Sequence, residues 1–381
     1  MKKAIVLALL LSLPLVLGTG AAEAVDIGGE FSLWSGYDFD EDDHAETAGE
    51  LELDFRTSTF TEAFNVTVGL EQTWPEGEAD ITLKEAYFDY YGEDYDLRLG
   101  KQLVSWGTAA GFNPTDNINP PDMEDPTGDK DSLLMMKGDY FFDNNYRLTG
   151  VVVPYHQPLL EGELDAPEES PDFIDSIPIE ETVYDLSSME YALKLSGRGI
   201  EGYDFSFSLY HGHEKLPTVD KPEQLNPDVT TEAYYQRLTA LGADVITDYE
   251  GVGLWAEGAY MLPEDTDNYG SLVLGADYHL ESGQLILGQL IYRHDREGED
   301  NFILQSAVEG TFADYHEARM AAFYNVSNDS YLLKPEVEFS LADAVNFNIE
   351  YIYQSGDVLA ETPEIFESER NELKAGLSYA F

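Results

Sequence analysis

There is no cysteine among the 381 residues, which excludes a disulfide framework and a thiolate metal site. Bases are scarce: 20 lysines and arginines stand against 75 aspartates and glutamates, a formal charge of −55. Such an acid excess argues against a nucleic-acid partner and against electrostatic binding to anionic lipid. Long apolar runs are also missing. After Leu17 no segment approaches the roughly 20 continuous apolar residues that a membrane-crossing helix requires. The seven histidines are scattered, and none lies in a recognisable nucleophile motif. Ser105 has no neighbouring base in sequence, so the chain reads as a non-enzyme with no cofactor.

What is present begins with a leader. Lys2 and Lys3 precede an apolar run from Ala4 to Leu17, and Ala22-Glu23-Ala24 supplies a small-x-small cleavage site. The expected division is a signal peptide over 1–24 and one domain over 25–381. Removing Lys2, Lys3 and Glu23 with the leader leaves 18 bases against 74 acids, from 20 and 75. The remaining length exceeds a usual single core, yet no linker divides it. A barrel escapes that limit because it grows by adding strands.

The rest of the chain alternates with period 2. Phe205, Phe207 and Leu209 alternate with Asp204, Ser206 and Ser208, and Phe347, Ile349, Tyr351 and Tyr353 with Asn346, Asn348 and Glu350. This is the pattern of a sheet wetted on one face. A soluble sandwich would alternate too. Three further features favour a membrane barrel. Short turns, such as 92–94, 143–145 and 281–283, alternate with longer acidic connections. Tyrosines and phenylalanines crowd the strand ends, where interfacial girdles belong. Finally, the last strand carries Lys374, Gly376, Tyr379 and Phe381. That spacing resembles the signal read by the outer-membrane barrel-assembly machinery.

Eighteen strands can be counted, from 29–38 to 369–381; sixteen is the alternative. The interrupted segment 301–312 is retained because termini on one side demand an even number. With it, the long connections 39–47, 104–130, 156–186, 212–233, 294–300 and 356–368 all fall on one face. The predicted fold is all-β: a transmembrane antiparallel barrel too wide for side chains alone to fill.

The stretch Gly100 to Asp122 reads GKQLVSWGTAAGFNPTDNINPPD. It leaves a strand, breaks the period with glycines and prolines, and carries a buriable Trp106. A connection this long is uncommon unless it has a job. Its Gly-Lys-Gln, Trp-Gly, Asn-Pro-x-Asp and Asn-Pro run resembles that of porin-like barrels, including relatives of the alginate-export group. The resemblance implies a third outer loop folded inward as a constriction. Trp106 would pack on the inner wall, and Asp116, Asp122, Glu124 and Asp125 would face Arg56, Arg98 and Arg147 across the bore. Opposed signs create a transverse field that tunes ion selectivity. The same arginines could instead only pair with neighbouring wall carboxylates.

Metal signals are weak. Asp38-x-Asp40-x-Asp42 begins like a calcium loop, but Asp43 stands where glycine is needed. His211-x-His213 reads as a solvated pair rather than a zinc site, and the ten carboxylates of 156–186 read as a solvated face. The acid excess itself has two readings, a cation-attracting pore or a saline or alkaline habitat. The expected function is passive diffusion of small hydrophilic solutes or ions, cations preferred, in the outer membrane of a diderm bacterium. Outer-membrane lipid and the assembly machinery are the implied partners, and a homo-oligomer is compatible with the architecture. Two alternatives stand beside it. One is a substrate-selective channel for sugars or acidic oligosaccharides, with Trp255 and Tyr210 as lumen aromatics. The other is a structural or adhesive surface protein with a closed barrel.

Overall fold

The computed structural model describes residues 25–39, 47–74, 77, 79–121, 130–142, 145–158, 163–165, 176–179, 186–219, 233–296, 298–359 and 369–381. The leader lies outside these residues, as do most of 156–186 and of the Asp38–Asp42 motif.

Eighteen antiparallel strands form one closed sheet. In chain order they are β1 Asp26–Asp38, β2 Thr47–Ser58, β3 Glu62–Trp74, β4 Asp80–Tyr91, β5 Tyr95–Gln102 and β6 Leu133–Phe141. There follow β7 Tyr146–Val153, β8 Glu190–Ile200, β9 Tyr203–His213, β10 Arg237–Tyr249, β11 Val252–Pro263 and β12 Tyr269–His279. The last six are β13 Leu285–His294, β14 Asp300–Phe312, β15 His316–Asn325, β16 Tyr331–Ala342, β17 Val345–Ser355 and β18 Glu369–Ala380. The expected count of eighteen holds, and the interrupted segment at 301–312 is the full strand β14. The seam joins β1 to β18 from Glu30↔Ala380 to Asp38↔Glu372. Beyond it, the amides of Gly29 and Phe381 each donate to the other's carbonyl, at 3.0 and 2.9 Å.

The alternation decides which face is which. Leu97, Leu99, Leu193, Leu195, Leu272, Leu274, Leu373 and Leu377 stand exposed on the outside. An apolar belt running right round a barrel requires lipid, and closure satisfies every strand edge within it. Aromatic girdles flank the belt. Tyr91, Tyr95, Tyr140, Tyr203, Tyr249 and Tyr278 mark the short-turn end, and Tyr191, Tyr260, Tyr292, Tyr324 and Phe302 the long-loop end.

Turn chemistry separates the two ends. β8–β9 and β10–β11 are joined through Glu201-Gly202 and Glu250-Gly251, whose φ angles are 53°, 91°, 53° and 82°. Two consecutive left-handed residues form the hairpin turn whose twist matches the strands. The long connections gather at the opposite end, as the sequence pattern requires.

Candidate pore constriction

The β5–β6 connection is the third outer loop, and it turns into the barrel instead of away from it. Its entry is cross-linked by Asn119. The side-chain oxygen accepts from the Val104 amide at 2.9 Å, and the side-chain nitrogen donates to the Asp131 carbonyl at 2.7 Å. Asn113-Pro114-Thr115-Asp116 makes a tight turn, closed by the Asp116 amide on the Asn113 carbonyl at 3.1 Å. Each Asn-Pro pair of the motif thus has a definite task in folding the loop.

Two wall side chains bolt the loop to the opposite strands. Glu257 of β11, fully buried, accepts from the amides of Thr108, Ala109 and Thr115 at 2.7, 2.9 and 3.0 Å. The Thr115 hydroxyl adds a fourth bond at 2.9 Å. Converging amides form an anion-binding nest, here filled by the protein's own carboxylate. Gly107 permits it: its φ is 105°, and an added Cβ would lie 2.5 Å from Glu257 Oε1. Gln289 of β13 then brackets Ala110, accepting from its amide at 2.9 Å and donating to its carbonyl at 2.8 Å.

Apolar packing completes the attachment. Trp106 is buried with Ile118 against Met135, Val151, Ala192, Tyr210, Leu238 and Met261 of the inner wall. Phe112 and Ala109 pack against a second patch containing Ile291, Ile303 and Phe323. Val358 and Leu359, from the β17–β18 connection, join that patch. The Leu359 carbonyl accepts from Arg293 and the Val358 carbonyl from Asn325. Loop and wall therefore share one interior along β6–β15.

The predicted site residues are distributed as follows. The Asp116 side chain is only 2% exposed, 3.0 Å from Lys130 Nζ and hydrogen-bonded to the Trp106 amide at 3.2 Å. Asp122, Glu124 and Asp125 lie outside the described residues. Arg98 forms a paired contact with Asp89 at 2.7 and 2.9 Å, and its guanidinium lies 3.8 Å from the Tyr87 ring centre. Arg147 lies 3.6 Å from Asp139. Arg56, the most open of the three, contacts Asp54 at 3.3 Å and Asn65 at 3.0 Å. The arginines thus pair along the wall with carboxylates directly opposite or two positions away. At the seam, Lys374 faces Glu372 and Trp34, while Tyr379 and Phe381 stack at 5.9 Å. Trp255 and Tyr210 are both buried beneath the loop, at 6% and 3% exposure, so neither offers a solute its ring.

A charged group of the inner wall that the sequence analysis does not name is Lys84. The apolar phase of β4 slips from odd (Ile81, Leu83) to even (Ala86, Phe88, Tyr90), and the ladder with β3 shifts register between Thr67 and Val68. That slip was the available signal of a bulge. It brings Lys84 to Glu50 and Glu52 on the inner wall, the latter at 2.9 Å.

Above the constriction, His213 departs from the solvated reading. His156, Glu190 and His213 bring potential ligand atoms within 4.8 Å of one another. Yet Glu190 already accepts from Lys215 at 2.8 Å and from the Tyr210 hydroxyl at 2.9 Å. Arg237 donates to His213 Nε2 at 3.4 Å, which leaves the proton on Nδ1, toward Glu190. A carboxylate already paired with Lys215, with both oxygens engaged by Lys215, Tyr210 and the two imidazoles, is poorly placed to take a metal ion, so the cluster is built as a latch between the β7–β8 and β9–β10 connections. Burial holds the His156 imidazole pKa below its usual value, despite the Glu190 hydrogen bond.

No family model and no curated protein sequence matches this chain. Solved structures do. Pseudomonas aeruginosa OccD3 aligns with a TM-score of 0.57 at 11% identity, over 95% of this chain and 92% of that one. Acinetobacter baumannii OccAB1 aligns at 0.56 and 7%, over 94% and 96%. Escherichia coli Wzi, described as an outer-membrane protein involved in group 1 capsule assembly and as a carbohydrate-binding β-barrel, aligns at 0.57 and 11%, over 100% and 88%. Likeness at these identities is likeness of fold: the closed β-barrel of outer-membrane proteins.

Proposed function

We propose that this protein is an outer-membrane channel for passive diffusion of small hydrophilic solutes, with a preference for cations. The observation that carries the reading is an unequal lumen. The wall under the loop is buried, whereas charged side chains on the inner face of β16–β4 remain in contact with water. Lys84, Glu50 and Glu52 keep 38, 31 and 34% of their side-chain surface. Water at mid-height of a barrel interior implies a path beside the loop, and carboxylates dominate its lining. A path lined by one sign of charge within low-dielectric walls concentrates counter-ions.

The reading includes export by the leader 1–24 and insertion through the strand bearing Lys374, Gly376, Tyr379 and Phe381. Catalysis has no part in it. Planar-bilayer recording tests it directly. The expected result is ohmic conductance and a reversal potential of cation-selective sign in a potassium chloride gradient, weakening as salt rises. An anion-selective channel would make Arg56, Arg98 and Arg147 dominant and favour acidic solutes. A barrel without conductance would favour the closed surface protein.

A further inference from the structure

Lys84 occupies a place that the fold takes trouble to build. A bulge lengthens β4 by one residue and leaves backbone carbonyls without ladder partners. Two donors compensate: Lys101 Nζ donates to the Leu83 carbonyl at 2.6 Å and the Ser132 hydroxyl to the Lys84 carbonyl. The neighbouring Glu85 carboxylate in turn accepts from the Leu103 amide at 3.2 Å. Leu103 and Ser132 are the first and last residues of the constriction loop. The bulge is therefore fastened to both ends of the segment that narrows the bore.

The side chain is placed with equal care. It lies across Gly69 of β3, where an added Cβ would stand 3.0 Å from Lys84 Cε and 3.3 Å from Glu50 Oε1. Its ammonium reaches two carboxylates, Glu50 and Glu52, and remains 38% exposed. One cation against two acids leaves this part of the wall with a net single negative charge. Lys334 of the same bare wall also pairs inward, with Glu350 at 3.2 Å, where the ladder with β15 runs in unbroken register.

We propose that Lys84 is the specificity-determining residue of the pore, a tethered ammonium that competes with permeating cations for Glu50 and Glu52 and limits cation preference at the constriction. This inference rests on the channel reading. A solute passing the loop stem meets two carboxylates partly neutralised by a movable ammonium. Removing that ammonium doubles the local negative charge without altering the barrel wall. At physiological salt a charge acts over roughly 8–10 Å, so the effect belongs to groups at the narrowing.

The test compares reversal potentials of wild type, Lys84→Met, Lys84→Gln, Lys84→Arg and Lys334→Met in planar bilayers. Heat-modifiable migration reports that each barrel has folded. The expected result is a several-fold rise in the cation-to-anion permeability ratio for Lys84→Met and Lys84→Gln. Lys84→Arg should match wild type, and Lys334→Met should shift the ratio less. Adding Glu50→Gln and Glu52→Gln to Lys84→Met should abolish the gain, which a merely structural role would not explain. Folded Lys84 variants with the wild-type ratio would overturn the proposal alone, as would an equal shift in Lys334→Met. A non-conducting wild type would overturn the channel reading and this proposal with it.

Discussion

The two halves of the lumen are made from the same alternating strands and end in opposite states. Along β6–β15 the inward positions include Val151, Val153, Leu238, Ala240, Met261, Val273, Ile291, Ile303 and Phe323, all buried. Those strands carry apolar side chains on part of the inner face as well as on the outer, so that part needs a cover, and the loop bearing Trp106 and Phe112 supplies it. Along β16–β18 and β1–β4 the inward positions include Lys334 with Glu350, Lys374 with Glu372, and Lys84 with Glu50 and Glu52, paired and wet. A wall that solvates itself leaves room beside the loop. The bore is thus set by which part of the wall is apolar inside, as much as by the length of the loop.

Breaking the bare half at its seam should have the largest effect. Phe381 joins Gly29 by backbone bonds on both its amide and carbonyl and stacks on Tyr379. Phe381→Asp puts a charge in the girdle and removes the aromatic of the proposed assembly signal. We expect loss of heat-modifiable, membrane-inserted protein and accumulation in the periplasm. Normal insertion would detach that residue from assembly.

Breaking the covered half should enlarge the bore while sparing the barrel. In Glu257→Leu four loop donors lose their acceptor, and each buried unsatisfied group costs about 1–3 kcal/mol. The loop should leave the wall and single-channel conductance should rise several-fold, approaching that of a chain lacking 108–128. Trp106→Ala should loosen the same contact, since truncating a buried tryptophan costs roughly 3–5 kcal/mol. Unchanged conductance in both would place the loop outside the permeation path.

Selectivity should divide the halves more finely. Asp116 is buried against Lys130 within the loop, whereas Glu52 touches water on the bare wall. Glu52→Gln should move the reversal potential toward anions, and Asp116→Asn should move it less while lowering the loop's stability. The opposite order would show that the loop, and not the wall, sets the field.

Much of this was legible in sequence, because period 2 is a local property that each strand carries alone. The strand count and the side of the long loops follow from alternation and its interruptions, and the inward turn of the segment after Gln102 from its length, its Trp106 and its resemblance to the loop of porin-like barrels. The unequal lumen is also written there, as inward positions that are apolar, although a sheet wetted on one face leads one to expect a polar interior throughout. Lys84 was hidden by the bulge, since one extra residue moves every later side chain of a strand to the other face. The partners of Glu257 were out of reach. Thr108 and Glu257 are far apart in the chain, and no local pattern announces a nest closed by a residue 149 positions away.

The smallest expected effect concerns the rim of the covered half, where His156 and His213 stack at 4.4 Å beside Glu190, Lys215, Tyr210, Tyr235 and Arg237. Burial depresses the His156 pKa from 6.5, and Lys215 and His213 oppose a further positive charge. A depressed imidazole binds protons more readily when the latch is open. Its contribution is therefore complete above the ordinary value near 6.5 and is lost as pH falls below it, toward the lower folded pKa. Among the described residues His156 Nε2 is buried without a hydrogen-bond partner, so the incoming proton also creates an unsatisfied donor there. Hydrogen exchange at 154–158 and 211–219 should quicken modestly between about pH 8 and about pH 5, after correction for intrinsic rates. In His156→Phe, exchange should be faster at high pH and should lose most of that dependence. A wild-type latch with flat protection across this range would remove the histidine from any role in holding the loops over the covered wall.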